Sequence, residues 1–151
     1  MEKQDYKNIV DQKEELIVVL NSEDNIVFKT KESPLSSFLK KIFTENFEEK
    51  GLKIYANQLG IGLAELSKVL NIKYYYGSEI SVPAKKILDE SKIKFEFGRI
   101  IDLVKSSSNP EKVCPVENRL NTLENFEERL EFLKEKAHEK GKACCVSISK
   151  K

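Results

Sequence analysis

The run from Lys53 to Ser67, KIYANQLGIGLAELS, constrains this chain more than any other stretch. It begins as an apolar strand over Leu52 to Leu59, turns through Gly60 and Gly62, and continues as a helix carrying Leu63, Leu66 and Leu70. A strand that ends in glycines at a helix N-terminus is where α/β proteins place ligands, because the first N–H groups of a helix have no internal partner. The plainer reading stands beside it: glycines also serve where a chain needs only a tight turn.

The flanking segments fit an α/β chain. Residues 3–13 read as a short helix with a thin apolar stripe of Tyr6, Ile9 and Val10, suited to covering a sheet edge. Leu16 to Leu20 is a β-branched run, the segment from Asn21 to Asn25 is a turn, and Ile26 to Thr30 is a second strand, so an antiparallel hairpin is expected. Ser33 and Pro34 offer an N-cap and first-turn proline for a helix reaching about Glu49, closed by Gly51.

After the central strand, Ile72 to Tyr76 reads as a strand whose tyrosines bury their rings and expose their hydroxyls. Ser81 is placed to cap a helix running to Ser91, with Pro83 tolerated in its first turn. Ile93, Phe95 and Phe97 alternate with Lys94 and Glu96, the pattern of a strand near a sheet edge with one wet face. Residues 106–112 form a loop. Cys114, Pro115, Val116 and Glu117 precede a long helix opened by Asn121, with Glu124 completing a capping-box-like pair and Leu123, Phe126, Leu130, Leu133 and Ala137 as its apolar stripe.

These elements favour one mixed sheet with helices on both faces. Composition sets the class of partner: 26 Lys and Arg balance 25 Asp and Glu, so the net charge of +1 gives no bulk attraction for nucleic acid or an anionic membrane. No apolar run approaches the roughly 18 residues that span a bilayer. With cysteines at 114, 144 and 145 only, no secreted disulfide framework is present, and a cytoplasmic protein is expected. Cys144 and Cys145 do not make a prenylation signal, since Ile148 stands fourth from the end.

Ala56, Gly60 and Leu66, with Ser67 and Val69, meet the small, glycine and apolar positions of a helix-turn-helix. The segment that would read bases has Glu65 opposing Lys68 and no Arg or Gln for base edges, so nucleic acid is disfavoured as a partner. The residues suited to chemistry lie at two strand ends and one loop. Gln58 to Gly62 and Glu79 to Ser81 could hold a carbonyl, phosphate or carboxylate between them. Cys114 lies between a loop and a helix with Glu117 one turn on. As a nucleophile it would need a lowered pKa, whereas a neighbouring carboxylate raises it; a buried packing cysteine is the commoner outcome.

The hairpin LIVVLNSEDNIVFKT, the helix start SPLSSFL, GLKIYANQLGIGLAEL, EISVPAKKIL with IKFEFGRII, and CPVE together resemble an uncharacterised prokaryotic family, domain of unknown function eighteen-ninety-three, over Leu16 to about Leu133. Ser81, Pro83 and Ala84 match the family's serine-x-proline-alanine block, and Cys114, Pro115 and Glu117 its Cys-Pro-x-Glu block. Asn57 and Gln58 stand where the family carries Asp-Lys, and Gly62, Leu63 and Ala64 stand for its Gly-Lys-Ala run.

The resemblance implies a cytidine deaminase-like fold: an α/β three-layer α/β/α sandwich with a mixed five-stranded sheet and an N-terminal hairpin. Active deaminases of that class hold zinc with a His or Cys at one helix start and a P-C-x-x-C at the next. Here the second motif reads Pro83-Ala84-Lys85-Lys86-Ile87, and no His or Cys lies between residues 58 and 68, so neither metal nor cofactor is expected, although Glu65 remains on the first helix. His138 and the tail pair Cys144 and Cys145 are poor substitute ligands.

One domain is expected over residues 1–141, with 142–151 a flexible tail. The function expected is small-molecule binding without zinc, nucleotide-like by fold analogy, at Asn57, Gln58, Gly60, Gly62, Ser81, Cys114 and Glu117. Two alternatives stay open: a metal-independent enzyme with Cys114 and Glu117 as catalytic residues, and a homo-oligomeric module built on the long C-terminal helix and the tyrosine-rich strand.

Overall fold

A computed structural model describes residues 5–45, 47–106, 109 and 111–138. In chain order the elements are α1 (Tyr6–Asp11), β1 (Ile17–Leu20), β2 (Ile26–Thr30), α2 (Pro34–Thr44), β3 (Leu52–Leu59), α3 (Ile61–Glu65) with a 3-10 turn at Leu66–Lys68, β4 (Ile72–Ser81), α4 (Val82–Ser91), β5 (Lys94–Ile101), α5 (Pro115–Thr122) and α6 (Phe126–Ala137). The strands form one open sheet in the order β2-β1-β3-β4-β5. β1 runs antiparallel to both its neighbours, whereas β3, β4 and β5 are parallel. The expected hairpin, mixed five-stranded sheet and strand β3 are all present.

The two faces are covered unequally. Ile17 and Val19 of β1, Leu52, Ile54 and Ala56 of β3 and Tyr75 of β4 pack into the main core with residues of α2 to α6. Alternate residues, Val18, Leu20 and Tyr76, with Tyr55 and Tyr74 beside them, meet only α1 through Val10, Ile9 and Tyr6. Among the described residues a short helix, opened by the Asp5 carboxylate accepting the Asn8 N–H at 3.1 Å, is therefore the whole second helical layer. It lies on a face of β3 and β4 and does not cover an edge.

Several boundaries move for identifiable reasons. α2 ends at Thr44, where Glu45 turns extended, five residues before the expected stop; Ser33 adopts a left-handed backbone and makes no capping bond. Gly51 does not close that helix. It starts the approach to β3 at φ +61°, and an added Cβ would lie 2.8 Å from the Ser22 Cβ. The tyrosine strand β4 continues past Tyr76 to Ser81, because β3 and β5 pair with it on both sides as far as Leu59 and Ile101. Tyr75 reverses the expected orientation: it is wholly buried and its hydroxyl donates to the Leu63 carbonyl at 2.5 Å.

The C-terminal third holds two helices where one was expected. Pro115 at the first helical position starts α5 directly after Cys114, and an extended Leu123 ends it. Asn125, not Asn121, caps α6, its side-chain oxygen accepting the Glu128 N–H at 2.9 Å. The expected tail, residues 142–151, lies outside the described residues.

One irregularity crosses three strands. The β3–β4 ladder pairs Ala56 with Gly77 and Gln58 with Glu79, and the β4–β5 ladder pairs Gly77 with Phe97 and Glu79 with Arg99. Asn57, Ser78 and Gly98 are thus passed over side by side. The core side advances by three residues instead of two, from Ala56 to Leu59 and from Gly77 to Ile80, while the register between the strands is unchanged across the row. Gly98 suits the closest point of this row, since a Cβ there would lie 2.6 Å from the Ser78 carbonyl oxygen.

Candidate functional site

α3 begins at Ile61 with Gly60 as its N-cap, so the helix has no side-chain cap of its own. A carboxylate from 56 residues downstream supplies one: Glu117 Oε1 accepts the Ile61 N–H at 2.8 Å. Its Oε2 accepts the Val104 N–H at 3.4 Å, and the Ser81 hydroxyl stands close enough to favour the charged carboxylate. Glu117 is 3% exposed. Burial pushes its pKa up, opposed by the Ser81, Ile61 and Val104 donors and by the charge of Arg129.

Ser81 meanwhile accepts the Ala84 N–H at 3.3 Å and caps α4 as its sequence position suggests. Glu117 therefore stands at the ends of two adjacent parallel strands, where β3 passes into α3 and β4 into α4. This arrangement explains both glycines by close approach. A Cβ on Gly60 would meet Glu117 Oε1 and Val104 Cγ2, each at 2.6 Å, and one on Gly62 would meet Leu35 Cδ2 at 2.7 Å. The helix end expected to receive a ligand anion already holds the chain's own.

Six of the seven expected ligand residues nevertheless converge. Asn57, Gln58, Gly60, Gly62, Cys114 and Glu117 line one hollow of about 70 Å³. Leu16, Leu35, Leu63 and Val104 give it a mainly apolar wall. Ser81 stays outside it, behind Glu117. Cys114 is 7% exposed, with its N–H donated to the Val104 carbonyl at 2.8 Å and its own carbonyl accepting the Asn118 N–H at 2.9 Å.

Gln58 and Asn57 also have structural duties. The Gln58 amide donates to the Lys105 carbonyl at 3.2 Å and accepts the Lys105 N–H at 2.7 Å, a reciprocal pair that ties the loop after β5 to the end of β3. Asn57 Nδ2 donates to the Val10 carbonyl at 2.8 Å and so fixes the end of α1.

Beyond Gln58 lies a second, larger space, which sequence reasoning missed. This outer cleft measures about 590 Å³ and shares Asn57, Gln58 and Lys105 with the hollow. The passed-over row of Asn57, Ser78 and Gly98 contributes to its lining, and Lys13, Glu79 and Arg99 bring charge. Asp11 accepts the Tyr76 hydroxyl at 2.9 Å and a short bond from Ser78. Arg99 is committed to Glu79, with Nε donating at 2.8 Å. Gln58 and Glu79, at the two strand ends that the sequence offers for a ligand, line this cleft, and Gly98 interrupts the alternation of KFEFGRII; Lys13 and Lys105 carried no signal.

The deaminase pattern can be tested on the side chains. Leu63-Ala64-Glu65 has the spacing of H-x-E, with leucine at the ligand position. Glu65 is 1% exposed and faces α6: Arg129 donates to it at 2.7 Å, and the Lys68 ammonium lies 3.0 Å from its other oxygen without hydrogen-bond alignment. Ala84 and Ile87, at the cysteine positions of P-C-x-x-C, are buried in the main core. These residues do not fit a zinc site, and among the described residues no group of three or more His, Cys, Asp and Glu is placed to hold a metal. His138 ends α6 exposed; Cys144 and Cys145 lie outside the described residues.

Residues 6–137 match the family model described as a domain of unknown function (DUF1893). The fold resembles the crystal structure of a DUF1893 family protein from Thermotoga maritima, with a TM-score of 0.68 at 18% identity, covering 89% of this chain and 92% of that one. No curated protein matches the chain.

Proposed function

Because the chain belongs to the DUF1893 family, whose description carries no activity, we propose from its geometry that it is a zinc-free, cytidine deaminase-like domain that binds a small molecule at the carboxyl ends of β3, β4 and β5. The observation that carries this reading is convergence. Segments 57–62, 104–105 and 114–117, far apart in sequence, meet at a hollow that continues into a cleft at the strand ends, where α/β sheets bind ligands.

Size divides the ligand between the two spaces. The outer cleft falls within the roughly 300–1,000 Å³ of small-molecule sites, whereas the hollow accepts only a small apolar group. Lys13 and Lys105 offer positive charge, and Asn57 and Ser78 offer polar groups, to the larger part. A nucleotide-like ligand follows by analogy with deaminase folds and from no contact seen here. Native mass spectrometry of the purified protein is expected to reveal a bound metabolite, or thermal-shift panels of nucleosides and nucleotides to raise the melting temperature. No bound species and no shift across those panels would overturn the reading.

A second reading rests on Cys114 and Glu117 lining the same hollow, a thiol beside a carboxyl of raised pKa. It makes the domain a metal-independent enzyme. Cys114→Ser is then expected to abolish turnover and iodoacetamide labelling at that position with folding intact; labelling confined to Cys144 and Cys145 counts against it. Among the described residues no helix is long and apolar enough to cross a membrane, in keeping with a cytoplasmic location.

A further inference from the structure

β5 ends the sheet, and among the described residues its outer edge pairs with nothing. It is eight residues long, where β2 at the opposite edge has five. Natural edges are blunted by brevity, proline, charge or a local irregularity. β5 has no proline; Lys94, Glu96 and Arg99 lie on one face, leaving the other face apolar.

The passed-over residue Gly98 decides which side chains share a face. Glu96 binds Lys7 and Tyr74 on the α1 side, and Arg99 binds Glu79 on that same side, lining the outer cleft with Tyr76. On the other side Phe95 and Phe97 pack against the main core, and Ile100 follows opposite the buried Ile80. Ile100 is 48% exposed and Val82, which starts α4 beside it, is 53% exposed. Among the described residues, two of the four large exposed apolar side chains are thus near this edge, Val82 following Ser81, which pairs with Ile101.

We infer that β5 pairs antiparallel with β5 of a second copy of this chain, about a two-fold axis between Phe97 and Gly98, making one continuous ten-stranded sheet. The central six residues of the strand are their own complement in that register, and only the end pair of Lys94 with Ile101 is unmatched. Phe97 faces Gly98 of the second copy, an aromatic ring covering an edge glycine. Glu96 faces Arg99, opposite charges on the face where both already lie. Phe95 faces Ile100, apolar on apolar, on the face where Val82 extends the patch. A two-fold contact must be self-complementary in this way, and each contact occurs twice. The assembly also brings Glu96 of the second copy to Arg99, at the rim of the outer cleft.

Light scattering coupled to size exclusion is expected to give a dimer mass for the full chain. Ile100→Lys is expected to give a monomer with an unchanged circular dichroism spectrum and a melting temperature that no longer depends on protein concentration. Arg99→Glu is expected to give a folded monomer of lowered melting temperature, since it also loses the pair with Glu79, and Arg99→Glu with Glu96→Arg to restore the dimer, a rescue that needs this register. A wild-type monomer at every accessible concentration overturns the inference. So does a dimer that survives both single substitutions, whose contact lies elsewhere, or a double reversal that leaves the chain monomeric.

Discussion

Glu117 Oε1 accepts the Ile61 N–H at 2.8 Å, while Oε2 of the same carboxylate accepts the Val104 N–H at 3.4 Å. One buried side chain of α5 thereby ties the start of α3 to the segment after β5, with the Ser81 hydroxyl at the start of α4 close by.

Removing that joint should be costly. Glu117→Ala leaves the Ile61 and Val104 N–H groups without their acceptor, and a loss of about 3 kcal/mol is expected from urea unfolding. Glu117→Gln keeps one acceptor oxygen and the volume, so about 1 kcal/mol is expected. Equal losses for the two would show that packing, not acceptance of these donors, is what Glu117 supplies.

The raised pKa of Glu117 fixes the sign of a pH effect. The folded state holds this proton more tightly than the unfolded chain, whose glutamate titrates near about 4.3. As pH rises from there through the folded value, the contribution of Glu117 to stability falls; it levels off once both states are ionised, and below both values it is constant. Urea unfolding of the wild type and Glu117→Gln across that range should show their stability difference shift against the wild type with rising pH. A difference that moves the other way would mean the folded carboxyl is depressed.

Gly60→Ala places a methyl where Glu117 Oε1 and Val104 Cγ2 stand, each 2.6 Å away. A destabilisation of about 1–3 kcal/mol is expected, of the kind seen on overpacking a core. In the Glu117→Ala background the same change should cost clearly less, since half of the clash has gone. A double-mutant cycle measures that coupling, and strict additivity would remove the argument.

Glu65 and Arg129 form a largely buried ion pair, with side chains 2% and 15% exposed. Arg129→Met strands the carboxylate with only Lys68 nearby, and a loss of about 3 kcal/mol is expected. Glu65→Leu with Arg129→Met should lie within about 1 kcal/mol of the wild type in chemical denaturation, because both desolvated charges leave together. A double variant as unstable as the single one would indicate a packing role for the Arg129 stem, whose Nε also donates to the Leu120 and Leu123 carbonyls.

The legible parts of this fold were those set by short-range pattern. The β-branched run IVVL, the alternation in KFEF and the cap at Ser81 each carry their own explanation within a few residues. The convergence of Asn57, Gln58, Cys114 and Glu117 was also readable, through the family-like order of the blocks and the habit of α/β sheets to place sites at strand ends. Illegible was what those residues would do on meeting. A glutamate one turn into a helix looks the same whether it awaits a ligand or caps another helix, and nothing near Glu117 points back to Ile61. The break at Leu123 was missed because Asn121 and Asn125 are both good caps, and only the early start at Pro115 decides between them. Lys105 entered the site through its backbone, which any residue could provide.

The sheet and its clamp are encoded in separate stretches of chain. All five strands are complete by Ile101, while the carboxylate that closes the first strand-to-helix junction arrives at residue 117, carried by α5. During synthesis, a chain that has just released its last strand still presents the Ile61 N–H and the Ser81 hydroxyl to water. Closure of the hollow is thus a late event, set by the emergence of a helix that contributes no strand, and a truncation before Cys114 is expected to keep the rungs of the sheet while leaving that door open.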